Sequence, residues 1–219
     1  MFIQRQRCYT LLIIFEFKME KVVNFGTSNV GEQIFEACAS GKTKTVQLLL
    51  QRYKSEDRSY SNIELNAKDT NGWTVFMVAC FNGHPDVVKL LLDHSDRNIE
   101  LNARMNTGMT AFMLACYNGQ TDVVKLLLYH SGSNIDVNAK TTHGWTAFML
   151  ACFRGHTDVV KLFFDLSDRN IEVNARMDDG RTAFMWACQN GHTDIVKLFL
   201  HHSEVKLNCR CIIQTQPLS

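Results

Sequence analysis

The sequence contains little proline and almost no excess of either charge. Only two of its 219 residues are proline, Pro85 and Pro217, so few positions are barred from the interior of an α-helix. The formal net charge is +1, whereas general attraction to nucleic acid needs a clear basic excess. We therefore expect a soluble, helical protein with no nucleic acid among its partners.

Long hydrophobic segments are also missing. The apolar run from Cys8 to Phe15 has eight residues, whereas a membrane-spanning helix needs about 20. No small-residue cleavage site of a signal peptide follows that run, and the sequence does not decide between Met1 and Met19 as the start. We expect residues 1–30 to be a disordered or non-native leader, with no membrane association. The expected location is the cytoplasm, with the nucleus as the alternative.

What the sequence does contain is one pattern of twenty residues, repeated at a constant step. The clearest copy runs from Met109 to Leu128, and close copies occupy residues 73–92, 145–164 and 181–200. A glycine precedes each copy, and these glycines follow one another at steps of 36 residues. Self-similarity at a fixed step of this size predicts an array of stacked units rather than one closed core.

Each copy predicts two short helices joined by a tight turn. Thr110 is a good N-cap for a first helix that runs to about Tyr117. Asn118-Gly119 then ends that helix, because glycine tolerates left-handed backbone angles. A second helix opens at Thr121 and has one apolar face. Neither helix is long enough to be stable alone, so each pair must pack on its neighbours.

The repeated pattern Gly-x-Thr-Ala-Phe-Met-x-Ala-Cys-x-Asn-Gly-His-Thr-Asp-Val-Val-Lys-Leu-Leu-Leu resembles the ankyrin repeat, as does the lead-in Asn102-Ala103-Arg104. The resemblance covers residues 31–208 and implies an all-α solenoid of stacked helix-turn-helix units with short β-hairpin or loop connections. Three extra residues per unit are expected in the connecting loops, because the family's own step is about 33. The signature's proline and histidine are replaced here, as by Ala111 and Met113, so we expect apolar packing in place of the histidine's polar contacts.

The two ends of the array differ from its middle. Residues 31–51 match a repeat only in part, which predicts one degenerate unit followed by four full ones. After the last copy, Leu207-Asn208-Cys209-Arg210 resembles the start of another unit. Residues 209–219 are therefore either a tail that caps the last pair or a truncated next repeat, and the sequence leaves both interpretations open.

Three patterns imitate chemical sites without meeting their requirements. The stretch Ser40 to Thr43 resembles the end of a phosphate-binding loop, but Glu36 stands where that loop needs glycine. A Cys-x₃-His pair such as Cys80 and His84 occurs once in most units, so these pairs cannot converge on one metal ion. The equivalent cysteines are too far apart for disulfides, since neighbouring helices pack about 8–10 Å apart. We expect free thiols, no metal, no cofactor and no enzymatic activity.

The positions that vary among the units are the candidate binding positions. In ankyrin-like stacks these positions line the hairpin tips and the inner concave face, and Trp, Tyr, Phe and Arg are frequent interface anchors. The candidate protein-binding residues are Trp73, Phe81, Met109, Tyr117, Trp145, Phe153, Arg154 and Arg181. The alternative is that part of this set packs into neighbouring repeats, as we expect for the row Val78, Leu114 and Leu150.

These observations favour a non-catalytic, monomeric scaffold that binds a partner protein through its concave face and hairpin tips. The alternative is a targeting or autoinhibitory segment of a larger multidomain protein, such as a ligase, kinase or channel. The identity of the partner cannot be read from the repeats, because one backbone of this kind serves many unrelated partners.

Overall fold

The structure is a computed structural model. It describes residues 29–52, 65–93, 99–130, 134–166 and 170–202. Residues 1–28 of the predicted leader, the whole predicted tail and parts of the connecting loops lie outside these ranges. Within the described residues the regular structure is entirely helical, which confirms the predicted all-α repeat fold.

The described residues form five consecutive helix pairs, one for each repeat. The pairs are α1 (Asn29–Ala39) with α2 (Thr43–Arg52), α3 (Val75–Asn82) with α4 (Pro85–Asp93), α5 (Ala111–Tyr117) with α6 (Thr121–Tyr129), α7 (Ala147–Arg154) with α8 (Thr157–Asp165), and α9 (Ala183–Gln189) with α10 (Thr193–His201).

The first helix of each full repeat begins directly after the threonine that was predicted to be its N-cap. Thr110 has extended backbone angles, and its hydroxyl oxygen accepts a hydrogen bond from the amide of Met113 at 3.3 Å. Thr74, Thr146 and Thr182 cap their helices in the same way. Each hydroxyl satisfies an amide that has no partner inside the helix, a contribution of about 1 kcal/mol.

The turn between the two helices is also as predicted. Helix α5 ends at Tyr117, and Gly119 follows with a φ of 68°, in the left-handed region that suits glycine. Helix α6 then opens at Thr121. In the second repeat the corresponding helix opens with Pro85. Proline is tolerated at this position because the N–H group of the first helical residue has no hydrogen-bond partner within the helix.

The first helices pack directly on one another, and the second helices contact one another more sparsely. Closer packing of the first helices than of the second helices is expected of a stack that is concave on the side of its first helices. Val78, Leu114 and Leu150 are fully or almost fully buried, which confirms that this row packs into neighbouring repeats. Met113 is also buried, so apolar packing does replace the histidine of the family signature.

A tight hairpin connects each pair to the next. The amide of Met105 donates to the carbonyl of Met109 at 2.9 Å, which closes the turn. Asn102 joins this hairpin to the following one, because its side chain donates to the Asn134 carbonyl at 2.7 Å and accepts from the Asp136 amide at 2.9 Å. The asparagine of the lead-in therefore fixes the spacing between successive hairpins.

Candidate partner-binding surface

The first helices of the full repeats end along one line on the surface. We call this line the first-helix face and define it by the residue pair at the end of each first helix. The pairs are Phe81 and Asn82, Tyr117 and Asn118, Phe153 and Arg154, and Gln189 and Asn190. Most of these residues are partly or fully exposed, so the face is accessible along its length.

Four of the eight predicted binding residues lie in the core instead. Trp73, Met109, Tyr117 and Trp145 are each only 4% exposed. The Trp145 ring stacks on the Trp186 ring of the next repeat, with centroids 4.9 Å apart. The expectation that these four side chains are available to a partner is therefore wrong.

A signal of this burial was present in the sequence. Met109 occupies the same position as Trp73 and Trp145, one residue after the glycine of its unit. Large apolar side chains stand at three of the four equivalent positions, with Arg181 at the fourth, and such a row is typical of packing between repeats. The tryptophans at this position fill space between repeats, and the methionine fills the same space in the middle unit.

Phe81 and Phe153 are partly buried and lie on the first-helix face. Each ring meets a buried tryptophan edge to face, Phe81 against Trp73 at 5.3 Å and Phe153 against Trp145 at 5.5 Å between centroids. The tryptophans thus hold both phenyl rings in fixed positions. A rigid, half-exposed aromatic ring can contact a partner with little loss of conformational entropy.

Arg154 is the exposed cation of this face. Its guanidinium carbon lies 4.8 Å from the centre of the Tyr117 ring. No carboxylate of the described residues forms an ion pair with it. Burial raises the pKa of the Tyr117 hydroxyl, and the positive charge of Arg154 offsets part of that rise. Arg154 is therefore held in place by a ring while its charge stays available.

Arg181 is in a different situation, because its charge is already balanced. Its side-chain Nε donates to a carboxylate oxygen of Asp179 at 2.7 Å, and its guanidinium carbon lies 4.2 Å from the Trp186 ring centre. Burial acts to raise the pKa of Asp179, but the hydrogen bonds and charge of Arg181 outweigh it and lower that pKa. The side chain of Arg181 is therefore held by Asp179 and Trp186 of its own repeat.

A row of side chains beneath the first-helix face ties the repeats together, and sequence reasoning gave it no role. The Nε2 atoms of His84, His156 and His192 lie 3.0, 2.8 and 2.9 Å from a main-chain carbonyl oxygen of the preceding repeat. Gln120 takes the equivalent place and donates to the Phe81 carbonyl at 3.1 Å. The replacement of histidine by glutamine was the available signal, since both side chains offer an N–H donor.

His156 gives this row a dependence on pH. Its pKa is lowered by burial and by the charges of Arg154 and His192, although its hydrogen bond to the Tyr117 carbonyl acts in the opposite direction. The unfolded chain, with an ordinary histidine pKa of about 6.5, then binds more protons than the folded chain in mildly acidic solution. The stabilisation is complete above that ordinary value and is lost as pH falls through the lowered folded-state value.

We expect His156→Gln to reduce this loss of stability in acid. Glutamine already serves in the equivalent place as Gln120, so the donor is kept while the titrating group is removed. The free energy of unfolding, measured with urea at several pH values between about 7.5 and 5.5, should fall less steeply in the variant than in the parent chain. Identical slopes for the two proteins would show that His156 does not titrate against folding.

The buried cysteines at equivalent positions of the repeats are expected to be unreactive. Cys38, Cys80, Cys116 and Cys152 are buried, and none of the four forms a disulfide. Burial raises the pKa of each thiol, to about 12 for Cys38, so these sulfurs stay protonated and are poor nucleophiles. His84 directs its Nε2 atom to the carbonyl of Ala39, so the Cys80–His84 pair has a structural explanation.

Two features are absent from the described residues. No three side chains of the His, Cys, Asp and Glu types converge there in a way that could hold a metal ion. In the same part of the chain, every helix is too short or too polar to cross a membrane.

Comparison with known proteins addresses the fold family. A family model described as ankyrin repeats in three copies matches residues 34–141 and 132–211. The two matches together span residues 34–211, which is most of the 219-residue chain. A comparison with curated proteins finds no match. On the strength of the family match and of the five stacked helix pairs, the chain belongs to the ankyrin repeat family.

Proposed function

We propose that this chain is a non-catalytic scaffold that binds a partner protein through its first-helix face and hairpin tips. Ankyrin repeats generally serve as protein–protein interaction modules, which supports the class of function. The single observation that carries the choice of surface is Arg154, an exposed cation that is stacked on Tyr117 and has no carboxylate partner among the described residues.

The chemistry of the face indicates what the partner presents to it. Asn82, Asn118 and Asn190 occupy the positions equivalent to Arg154, so the face carries one charge in an otherwise amide-lined row. A guanidinium that lies against an aromatic ring is partly desolvated and already oriented. The complementary group is an acidic side chain of the partner, placed beside the half-buried ring of Phe153.

The hairpin tips extend this surface. Their backbones are linked from one repeat to the next, as where the Thr142 amide donates to the Thr107 carbonyl at 3.2 Å. The exposed tip residues nevertheless differ between repeats, as at the equivalent positions Asn106, Thr142 and Asp178. Variable side chains on a regular backbone provide a means of selecting one partner.

The thiols support a reducing compartment, and we place the protein in the cytoplasm. Four buried cysteines outside any disulfide suit an environment in which thiols remain reduced.

Affinity capture with variants of the full chain tests the surface. Arg154→Glu reverses the charge of an exposed residue at the end of a helix, so the fold should be kept while the partner is repelled. The control is Tyr129→Ala, which removes an exposed aromatic side chain from the second-helix side. Quantitative mass spectrometry should show a protein recovered by the parent chain and the control, and reduced at least about tenfold with Arg154→Glu.

The opposite pattern would contradict the proposal. If a folded Arg154→Glu chain recovers the partner in full and Tyr129→Ala loses it, the binding surface lies on the second helices. Circular dichroism melting curves of the three proteins establish that they are equally folded. Arg154→Lys is a further variant, and it should restore part of the recovery because it keeps the charge without the planar stacking group.

A further inference from the structure

We propose that Arg154 stands where the array elsewhere uses an asparagine to join two repeats, and that this replacement selects the partner. The partner then presents one acidic side chain to Arg154 and hydrogen-bond donors to the flanking Asn118 and Asn190. The inference rests on the function proposed for the first-helix face. It adds which side chains of that face determine the partner's chemistry.

Two asparagines of the first-helix face hold neighbouring repeats together. The side-chain Nδ2 of Asn118 donates to the Phe81 carbonyl at 2.9 Å, and that of Asn190 donates to the Phe153 carbonyl at 3.2 Å. Each bond reaches 37 residues back along the chain, to the end of the preceding first helix. An amide that is bonded in this way stabilises the contact between two repeats.

Arg154 occupies the equivalent position in the fourth repeat but makes no such bond. By the same step along the chain, an asparagine at this position would reach the carbonyl of Tyr117. The guanidinium of Arg154 lies over the Tyr117 ring instead, 4.8 Å from its centre, and donates no hydrogen bond to a described residue. Its N–H donors are therefore left for water or for a partner.

The bonds of the two asparagines also fix which way their amides face. A carbonyl oxygen can only accept a hydrogen bond, so each amide must turn its nitrogen toward the preceding repeat. The side-chain oxygens of Asn118 and Asn190 lie on the other side of the amide and accept no hydrogen bond from a described residue. The face therefore offers an acceptor, then the donors of Arg154, and then a second acceptor.

The complementary surface follows from this order of groups. A guanidinium forms two parallel hydrogen bonds with a carboxylate, whereas a neutral amide oxygen accepts from an N–H or O–H group. Because neighbouring helices pack about 8–10 Å apart, the matching partner carries an acidic side chain with a donor about that far to each side. A partner without the acidic group would bury the charge of Arg154 without a counter-ion, which disfavours binding.

Urea unfolding of full-chain variants tests whether Arg154 replaces a joining asparagine. The amide of Arg154→Asn should donate to the Tyr117 carbonyl, so its folding equilibrium constant should exceed that of Arg154→Ala at least about threefold. Asn118→Ala is the matched variant, because it makes the same change from asparagine to alanine at an equivalent position. The parent chain should exceed Asn118→Ala by a similar factor. Equal stability of Arg154→Asn and Arg154→Ala would overturn the inference.

A displayed library of random peptides, selected on the immobilised full chain, tests the partner's chemistry. The enriched peptides should carry Asp or Glu with donor side chains to both sides. One such peptide, made synthetically, should bind Arg154→Asn at least about tenfold more weakly than the parent chain. Exchange of its acidic residue for the corresponding amide should weaken binding to the parent equally, with little further loss in Arg154→Asn. Tyr129→Ala, on the second-helix side, should bind the peptide as the parent does.

The inference and the proposed surface can fail separately. A library that yields no acidic peptide, or peptides that bind Arg154→Asn as tightly as the parent chain, would overturn the inference. In the capture experiment, loss of the partner with Arg154→Glu but full recovery with Arg154→Asn would keep the surface and remove the acidic contact. Full recovery with Arg154→Glu would remove the proposed surface, and the inference with it.

Discussion

Replacement of Phe148 by alanine is expected to lower the free energy of unfolding by about 3–5 kcal/mol. The side chain is 2% exposed, and its ring lies 5.3 Å from the Phe163 ring and 5.6 Å from the Phe199 ring between centroids. Phe148 and Phe163 belong to the fourth repeat, and Phe199 belongs to the fifth. The substitution therefore opens a cavity at the junction of two repeats, where the surrounding rings cannot collapse without separating the helices.

Urea unfolding followed by circular dichroism measures this loss. Tyr129→Ala is the control, because that aromatic side chain is 60% exposed and its removal should change the free energy of unfolding by no more than about 0.5 kcal/mol. A loss below about 1 kcal/mol for Phe148→Ala would show that the aromatic cluster does not join the two repeats as described.

The loss of stability in the Phe148→Ala variant should be confined to the repeats next to the substitution. In a stacked array each repeat contacts only its neighbours, so a lesion at one junction weakens the units on its two sides. Amide hydrogen exchange in the Phe148→Ala variant should accelerate most in α7 to α10. Helix α3 lies two repeats away and should keep more of its protection.

The positions of the helices could be predicted from the sequence because they depend on neighbours along the chain. The hydroxyl of Thr110 bonds to an amide only three residues ahead, and Gly119 ends the pair by its own backbone angles. The constant step of 36 residues then located three further units from one well-defined unit. The fold followed from local interactions and from the inability of short helices to stand alone.

The burial of the candidate residues could not be predicted in the same way, because it depends on the next repeat. A fixed step of 36 residues identifies a row of equivalent side chains but not whether the row faces solvent or a neighbour. Trp145 is buried because Trp186 stacks on it from the following unit. Arg154 and Arg181 were both predicted to offer a charge to a partner, and the contact with Asp179 balances the charge of Arg181.

The hydrogen bonds of the histidine row could not be predicted from the sequence either, because they join residues that are far apart along the chain. His156 contributes to stability through a carbonyl that lies 39 residues earlier, at a distance of 2.8 Å. A contact of this kind leaves no local pattern, apart from the type of side chain that replaces histidine elsewhere. It also means that the turns at Gly41, Gly119 and Gly155 are each packed against the histidine ring of the next repeat, which leads to the second large effect.

Gly119→Ala is expected to destabilise the chain more than Gly191→Ala, although both glycines have nearly the same φ, 68° and 70°. Both variants suffer the left-handed strain of a Cβ atom, about 1–2 kcal/mol. At Gly119 the new Cβ atom would also lie 2.4 Å from Nδ1 of His156, whereas at Gly191 it would meet no described atom within 4 Å. The His156 ring must then move and weaken its hydrogen bond to the Tyr117 carbonyl, which adds about 1 kcal/mol or more.

The additional loss of stability in Gly119→Ala, relative to Gly191→Ala, therefore arises from a contact between two repeats. A double-mutant cycle isolates that contribution. In a His156→Ala background the ring is absent, so Gly119→Ala should cost no more than the backbone strain measured with Gly191→Ala. Urea unfolding of Gly119→Ala, His156→Ala and the double variant gives the coupling free energy, which should be about 1 kcal/mol or larger. If the two glycine variants lose equal stability in the parent chain, and the cycle shows no coupling, then the turn of one repeat does not bear on the histidine of the next. The regular spacing of the array would in that case depend on the hairpin asparagines and the apolar core alone.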